Sequence, residues 1–411
     1  MSVEVLTFGC RLNLAEGEAV RAAACAAGAK ETVIVNSCAV TQEAVRQAEK
    51  AIRKAHRDRP EARIVVTGCA AQLEPGRFTG MPGVSRVLGN ADKLRPASYL
   101  AGQPAPPVPD VFADMSAPAP AATLSGRSRA FVQVQAGCDH RCTFCIIPFA
   151  RGNSRSVPAT AVVDRIAALV DAGAREVVLT GVDLTGYGTG DAPALGALIA
   201  RILRDVPSLP RLRLSSLDTV EIDPLLAEVI VGEPRVMPHL HLSLQSGDDM
   251  ILKRMRRRHG RAHAVATVAK LKAKRPDIAI GADLIAGFPT ETTGMAANSL
   301  SLIEECDIVF GHIFPYSPRA GTPAARMPQV EPEVARTRAR ALRQACADRH
   351  ARWLGGLVGT RQSVLMERGG TGHTESFAKV RMPAEIPFEA GAIADLRIVG
   401  TDGDMLLGVP A

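Results

Sequence analysis

Two hydrophobic periods alternate along the first hundred residues. Val3 to Phe8 is a short apolar run, Ala15 to Ala27 repeats apolar positions at helical spacing, and Thr32 to Asn36 is a second run. Thr41 to Arg57 is a charged amphipathic helix, and Arg63 to Thr67 is a third strand. Strands separated by helical segments predict a parallel α/β sheet. From Ala101 to Gly126 the pattern lapses: half of the 26 residues are Pro or Ala, which predicts an extended linker. Alternation resumes at Arg129. Strands are expected at Ala130–Gln135, Glu176–Thr180, Arg211–Ser215, His239–Leu244, Ile278–Leu284 and Ile308–Phe314. Helices are expected at Ala159–Ala172, Ala194–Asp205, Asp223–Val231, Ala262–Lys274 and Thr292–Cys306. Six βα units predict a partial or complete (β/α) barrel. The tail changes period again. Gln362 to Met366, Ala378 to Arg381, Ala392 to Val399 and Met405 to Val409 are short β runs with Gly-rich turns, which predict a small β-barrel. The expected class is α/β, divided at 1–100, 101–126, 127–355 and 356–411.

Composition narrows the setting. A hydrophobic content of 46% is enough for real cores, and nine widely spread cysteines do not make a small secreted disulfide framework. No basic-then-apolar leader opens the chain, and no window approaches 18 uninterrupted apolar residues, so a soluble cytoplasmic protein with no membrane span is expected. The net charge of +7 permits a polyanionic partner. That charge is uneven. Lys253 to Arg275 holds ten Lys or Arg and no acid, with five of the ten between Lys253 and Arg258, where phosphate contact is expected. Arg326 to Arg352 holds seven Arg against three acids, a balance that a solvated helix face explains equally well.

The chemistry lies in the cysteines. Gly137-Cys138-Asp139-His140-Arg141-Cys142-Thr143-Phe144-Cys145 sets three thiols at CxxxCxxC spacing just after a strand. A cubane iron–sulfur cluster held by three thiolates keeps one iron open for a small molecule. The alternative is a zinc knuckle, which wants a fourth ligand nearby; His140 is inside the loop, and no other His or Cys follows Cys145 within 90 residues. Cys10, Cys38 and Cys69 form a second set. Each follows a predicted parallel strand, so the fold brings all three to one sheet edge, where ligands gather. Gly or Ser stands beside each, which points to close backbone approach and a second cluster rather than three buried structural thiols. Cys25, Cys306 and Cys346 fall in helical patterns and read as ordinary core or surface cysteines.

With both sets in view the chain resembles the radical S-adenosylmethionine (radical-SAM) methylthiotransferases along essentially its whole length. The resemblance rests on Thr7 to Asn13, Val35 to Thr41, Thr67 to Ala70, Gly137 to Arg155 and Phe314 to Ala324. Cys145-Ile146-Ile147-Pro148-Phe149-Ala150-Arg151-Gly152-Asn153-Ser154-Arg155-Ser156 is most similar to the branch acting on threonylcarbamoyladenosine in tRNA. The branches acting on isopentenyladenosine and on a ribosomal-protein aspartate usually have a longer spacer there. Two departures stand out. The stretch between Cys10 and Cys38 is short near Ala26 to Glu31, and the tail, which resembles a TRAM barrel, has five Lys or Arg against seven acids from Leu357 onward.

The resemblance implies two 4Fe-4S clusters, one on Cys138, Cys142 and Cys145 and one on Cys10, Cys38 and Cys69. It implies S-adenosyl-L-methionine on the open iron, with Phe144 shielding it, Asp183 at its ammonium, Ser216 or Ser215 at its ribose, and Gln245 and Arg257 completing the contacts. Asp283 stands near the same strand ends and could equally cap a turn. The partners implied are a tRNA anticodon loop, whose unpaired base can be splayed into a pocket, and an external flavodoxin- or ferredoxin-like electron donor. The reaction implied is methylthio transfer to C2 of the base, with sulfur drawn through the second cluster and methyl from a second SAM. A different class of protein, a non-catalytic iron–sulfur or zinc redox protein that binds RNA, would be colourless with zinc and would not cleave SAM.

Overall fold

The three apolar runs near the start form the parallel strands predicted for them. In a computed structural model, which describes residues 3–100, 102, 107–114, 116–118, 120–123, 129–188, 193–384 and 386–411, they are β1 (Val3–Thr7), β2 (Thr32–Ser37) and β3 (Arg63–Gly68). A fourth strand, β4 (Val84–Val87), extends the parallel sheet in the order β1-β2-β3-β4. Four residues that include Ser85 and Arg86 carry too little apolar pattern to be read as a strand. β2 is buried along its whole length, as an interior parallel strand should be. The helix Arg11–Ala26 starts directly after Cys10, and the helix Gln42–Asp58 is capped by Thr41, whose Oγ1 accepts from the Ala44 amide at 3.1 Å.

The linker is more fixed than its composition suggests. Gln72 Nε2 donates to the Pro109 carbonyl at 2.8 Å, Arg155 Nη1 lies 2.5 Å from Asp114, and β5 (Ala122–Thr123) pairs antiparallel with β6 (Arg129–Gln133). Backbone and single side chains make these bonds, so hydrophobic periodicity cannot register them. The remainder of the expected linker, 101, 103–106, 115, 119 and 124–126, lies outside the described residues.

Beyond β6 the strands are β7 (Gln135–Ala136), β8 (Arg155–Ser156), β9 (Glu176–Thr180), β10 (Arg211–Leu214), β11 (Ser216–Leu217), β12 (His239–Gln245), β13 (Ala279–Ala286) and β14 (Ile308–Pro315). They pair in the orders β10-β9-β6-β5 and β11-β12-β13-β14. Ser215 interrupts β10 and β11, and an isolated parallel bridge from Leu212 to Val236 spans the break. β6 and β14 do not pair with each other, so of the two expected forms of barrel the partial, open one is found. Leu, Val and Ile on the strands and on the helices between them form its core. A 26-residue helix, Pro332–Leu357, covers β14 and accounts for most of the second basic run. Its buried positions are mainly Ala335, Ala339, Leu342 and Cys346, small residues that leave a faint hydrophobic stripe.

The tail closes into a barrel of β15 (Arg361–Glu367), β16 (Thr371–Thr374), β17 (Lys379–Arg381), β19 (Met405–Pro410) and β18 (Ile393–Asp402), in that order. β16 has no aliphatic residue and was not predicted. The tail docks on the strand starts of the α/β barrel through Phe377, which lies under Arg213 and Arg129 with ring centroid distances of 4.8 and 5.2 Å. Between those two cations sits Glu176, fully buried, 2.6 Å from Arg129 Nε and 2.9 Å from Arg213 Nε. Burial alone would raise its pKa, but Arg213 and Arg129 overcome this and hold it down at about 2. A depressed carboxylate pKa stabilises the fold above its unfolded value of 4.5, and that contribution is lost as pH falls from 4.5 toward about 2. Thermal melts of wild type should therefore lose stability through that window. Glu176→Gln should melt lower at pH 7, at a cost on the order of 3–5 kcal/mol from two uncompensated buried arginines, and should show a shallower acid slope. Equal acid slopes for the two proteins would contradict this.

Candidate active site between two cysteine sets

The loop carrying Cys138, Cys142 and Cys145 is bracketed by β7 and β8, which pair antiparallel on either side of it. Gly137 has φ +75°, and a Cβ there would run into the Asn153 carbonyl, so only glycine lets the loop pass. Three backbone bonds hold it: Cys138 N to Gly152 O at 3.1 Å, Thr143 N to Met255 O at 3.1 Å, and Cys145 N to Cys142 O at 3.1 Å. Burial pushes the Cys145 thiol up to about 11 and also raises Cys138, and the other two thiols of the loop add to the rise at Cys138. Thiolates this close repel one another, and a positively charged metal centre bound between them removes that cost.

His140 is held by two carboxylates. Its Nε2 lies 3.0 Å from Asp183 and 3.3 Å from Glu221, and these two hydrogen bonds raise its pKa to about 10. Asp183 accepts from the Cys138 thiol at 3.7 Å, so this carboxylate stands beside the loop. Arg257 lies on the other side, donating to Cys142 Sγ at 3.6 Å, to Asp218 at 2.8 Å and to the Ser243 carbonyl at 2.9 Å.

The second set stands where the parallel sheet puts it, one cysteine after each of β1, β2 and β3. Gly9 (φ +88°) crosses directly over Cys38, and a Cβ there would collide with its Sγ. Burial raises the Cys10 thiol and pushes Cys38 up to about 12. The electrostatics behind the set come from two regions of the chain. Arg151, just beyond the first cysteine loop and 4% exposed, donates Nε to Cys69 Sγ at 3.2 Å, Nη1 to Glu16 at 2.7 Å and Nη2 to Asn13 at 2.5 Å. Lys93 Nζ is 2.6 Å from the same Glu16. Two buried cations thus share one carboxylate, leaving one net positive charge beside the thiols. A three-thiolate cubane carries the matching excess of negative charge, so this donor set and its surroundings fit such a cluster.

A cavity of about 240 Å³ lies between the two sets. Val40 and Thr41, just after Cys38, line one side. Phe144, Cys145, Gln245, Asp283 and Ile285 line the other, and Tyr316 and Arg319 close the end. Gln245 ends β12 with φ +68°, a conformation that costs energy in a residue with a side chain and is found where geometry serves a site. Asp283 is engaged on the cavity floor, 3.0 Å from His241 Nε2 and 3.4 Å from His312 Nδ1, so it is not a turn cap.

Of the residues expected to touch SAM, Phe144 and Gln245 line the cavity, Asp183 adjoins Cys138 and Arg257 adjoins Cys142. Ser216 lies in register with His241 on β12 and is not among the lining residues. The basic run 253–258 divides: Lys253 and Arg256 face solvent, while Arg257 and Arg258 turn to Asp218 and Glu221. Glu16, Lys93, Arg151 and Arg319 were not singled out from the sequence. Leu12 to Val20 contains Asn13 and Glu18 as well as Glu16, so nothing local sets Glu16 apart.

An open parallel barrel, three thiols on the loop after its first strand and an α/β unit set over its strand ends define a radical-SAM enzyme. The Radical SAM superfamily model matches residues 132–303, and a family described as "Uncharacterized protein family UPF0004" matches residues 2–89. The threonylcarbamoyladenosine tRNA methylthiotransferase MtaB of Rickettsia prowazekii is 45% identical over 402 residues, 97% of this chain and 95% of that protein. The MtaB of Thermotoga maritima is 33% identical over 89% of this chain and 86% of its own length. A tRNA-2-methylthio-N(6)-dimethylallyladenosine synthase of Erythrobacter litoralis is also 33% identical, over the same shares. Among solved structures, the radical S-adenosylmethionine methyltransferase TsrM from Kitasatospora setae superposes with a TM-score of 0.54 at 15% identity, covering 76% of this chain and 70% of that one, a likeness of fold. The chain belongs to the MtaB family of radical-SAM methylthiotransferases. The family implies one 4Fe-4S cluster and SAM. Among the described residues no helix is long and apolar enough to cross a membrane.

Proposed function

We propose that the protein transfers a methylthio group to C2 of N6-threonylcarbamoyladenosine beside the anticodon of tRNA. The observation that carries this reading is one cavity lined both by Cys145 of the first set and by Val40 and Thr41, which follow Cys38 of the second. Radical-SAM chemistry alone needs one set. Transfer of sulfur needs a second source of it close to the same base. The 45% identity with an MtaB over nearly the whole length supports the base named.

In this reading Cys138, Cys142 and Cys145 hold the cluster that binds SAM, and Cys10, Cys38 and Cys69 hold a second 4Fe-4S cluster. When bound, the first cluster and SAM supply the radical that removes the inert hydrogen from the base. The protein's own residues position and screen. Phe144, in edge contact with Phe288 at 6.3 Å, walls the cavity beside Cys145. Asp183, steadied by its contact with His140, presents a carboxylate to the SAM ammonium. Gln245, Ser216 and Arg257 complete the contacts with SAM. Residues 1–100 form the second-cluster domain, 101–126 the connection, 127–355 the radical-SAM domain and 356–411 a TRAM-like barrel. An external flavodoxin- or ferredoxin-like protein supplies electrons.

The test is anaerobic turnover of an anticodon stem-loop with SAM and a chemical reductant. A threonylcarbamoyladenosine stem-loop should gain one SCH3 group in place of a hydrogen. Modification of an isopentenyladenosine stem-loop in its place would move the substrate to the related branch, and SAM cleavage without sulfur insertion into either would overturn methylthio transfer.

A further inference from the structure

Arg319 is the one buried arginine of the described residues whose guanidinium makes no hydrogen bond or ion pair. Arg86, Arg129, Arg151, Arg211 and Arg213, the others, all donate to carboxylates, hydroxyls or carbonyls. Arg319 is 8% exposed and lines the cavity between the two cysteine sets, and its Nε and Nη2 are buried without a partner. The nearest acid in its field, Glu74, pairs with Arg77 at 3.1 Å. Leaving charged donors unsatisfied inside a protein is costly, and a structure tolerates it where a ligand supplies the acceptor.

The backbone holds the side chain in place. Tyr316 N donates to Ala286 O at 2.8 Å, the Thr322 amide and hydroxyl both donate to the Arg319 carbonyl at 3.1 and 2.8 Å, and Ala324 N donates to Thr143 O at 3.0 Å, inside the first cysteine loop. The guanidinium is a planar fork that matches the two oxygens of a carboxylate or a phosphate.

We infer that Arg319 anchors an oxyanion of the substrate nucleotide, and so sets the base between the two cysteine sets. This rests on the tRNA reading above. One chemistry has two sources in that substrate: the carboxylate of the threonylcarbamoyl group and the phosphodiester of the same nucleotide. A counter-charge role toward Cys38, should that cysteine be a thiolate in a cluster, competes with this assignment. The cysteine set, however, already has the Arg151–Lys93–Glu16 excess behind it.

Fluorescence anisotropy of reconstituted wild type and Arg319→Met, at one fixed salt concentration, tests the assignment with three anticodon stem-loops. The first is intact, the second has the threonine carboxylate reduced to the alcohol, and the third has a methylphosphonate 5′ to the modified adenosine. Arg319→Met should weaken binding of the intact RNA by roughly 10–100-fold. One altered RNA should bind wild type as weakly as the variant binds the intact RNA, and the variant should not distinguish that pair. Loss of discrimination at the carboxylate identifies the modification as the ligand, and at the methylphosphonate the backbone. Equal penalties on all three RNAs, unchanged affinity, or lost iron with RNA affinity preserved would each overturn the assignment. Arg319→Lys keeps the charge but not the fork, and carries the same comparison if the Met variant fails to fold. Should wild type prefer the isopentenyl stem-loop, the substrate reading fails while the methylphosphonate arm still decides on Arg319.

Discussion

Cys138→Ala/Cys142→Ala/Cys145→Ala protein, reconstituted anaerobically, should hold about four irons where wild type holds about eight, and should cleave no SAM at all. The complementary Cys10→Ala/Cys38→Ala/Cys69→Ala protein should also hold about four, yet still cleave SAM to 5′-deoxyadenosine while forming no methylthio product. The asymmetry follows from the geometry. Asp183, Arg257, Phe144 and Gln245 surround the first loop, whereas the second set meets the cavity only through Val40 and Thr41. The two loops have separate backbone supports, so each variant should fold. Wild type with about four irons, falling to none in the first variant, would leave Cys10, Cys38 and Cys69 structural and would remove sulfur insertion from the proposal.

Arg151→Met should lose most of the iron of the second set while keeping that of the first. Arg151 makes four hydrogen bonds to Glu16, Asn13 and Cys69. Hydrogen bonds to charged groups contribute about 1.5–3 kcal/mol each at most and share one geometry, so a loss on the order of 3 kcal/mol is expected, not their sum. The larger effect is electrostatic. Burial raises the Cys10 thiol and Arg151 is the foremost influence lowering it again. Without Arg151 the Cys10 and Cys38 thiols bind protons more tightly, so loading of the set should need a higher pH. Iron content against reconstitution pH, compared between wild type and variant, measures this; superimposable curves would show that Arg151 acts only as packing.

The parts of this site visible in the sequence are those that local pattern can place. Each cysteine of the second set follows an apolar run, and a run that reads as a parallel strand fixes which edge its last residue reaches. The three thiols of the first loop lie within eight positions, so spacing alone brings them together. What could not be read is pairing across the chain. Glu16 meets Lys93 and Arg151 at separations of 77 and 135 residues, and nothing local marks any of the three as buried. Arg319 lay in plain view within a matched motif, but an arginine in a Pro- and Gly-rich loop is ordinarily solvated. Its burial depends on the sheet that ends beside it and on the cysteine loop that holds Ala324. The ion pairs of the basic run at 253–258 were hidden for the same reason: Asp218 and Glu221, which pair with Arg257 and Arg258, come from another βα unit.

Arg151 also orders events in time. A chain made from its N-terminus has synthesised β1 to β4 and all of Cys10, Cys38 and Cys69 well before Arg151 exists, and domains fold as they are made. At that stage Glu16 has only Lys93, and the pocket behind Cys69 lacks the guanidinium that completes it. The N-terminal thiols therefore acquire their full electrostatic setting only once the first cysteine loop has also been made and has docked. Under the proposed two-cluster reading, the site of the second cluster is complete only once the loop of the first is in place, and a chain truncated before Arg151 has the three N-terminal cysteines without the guanidinium that faces Cys69.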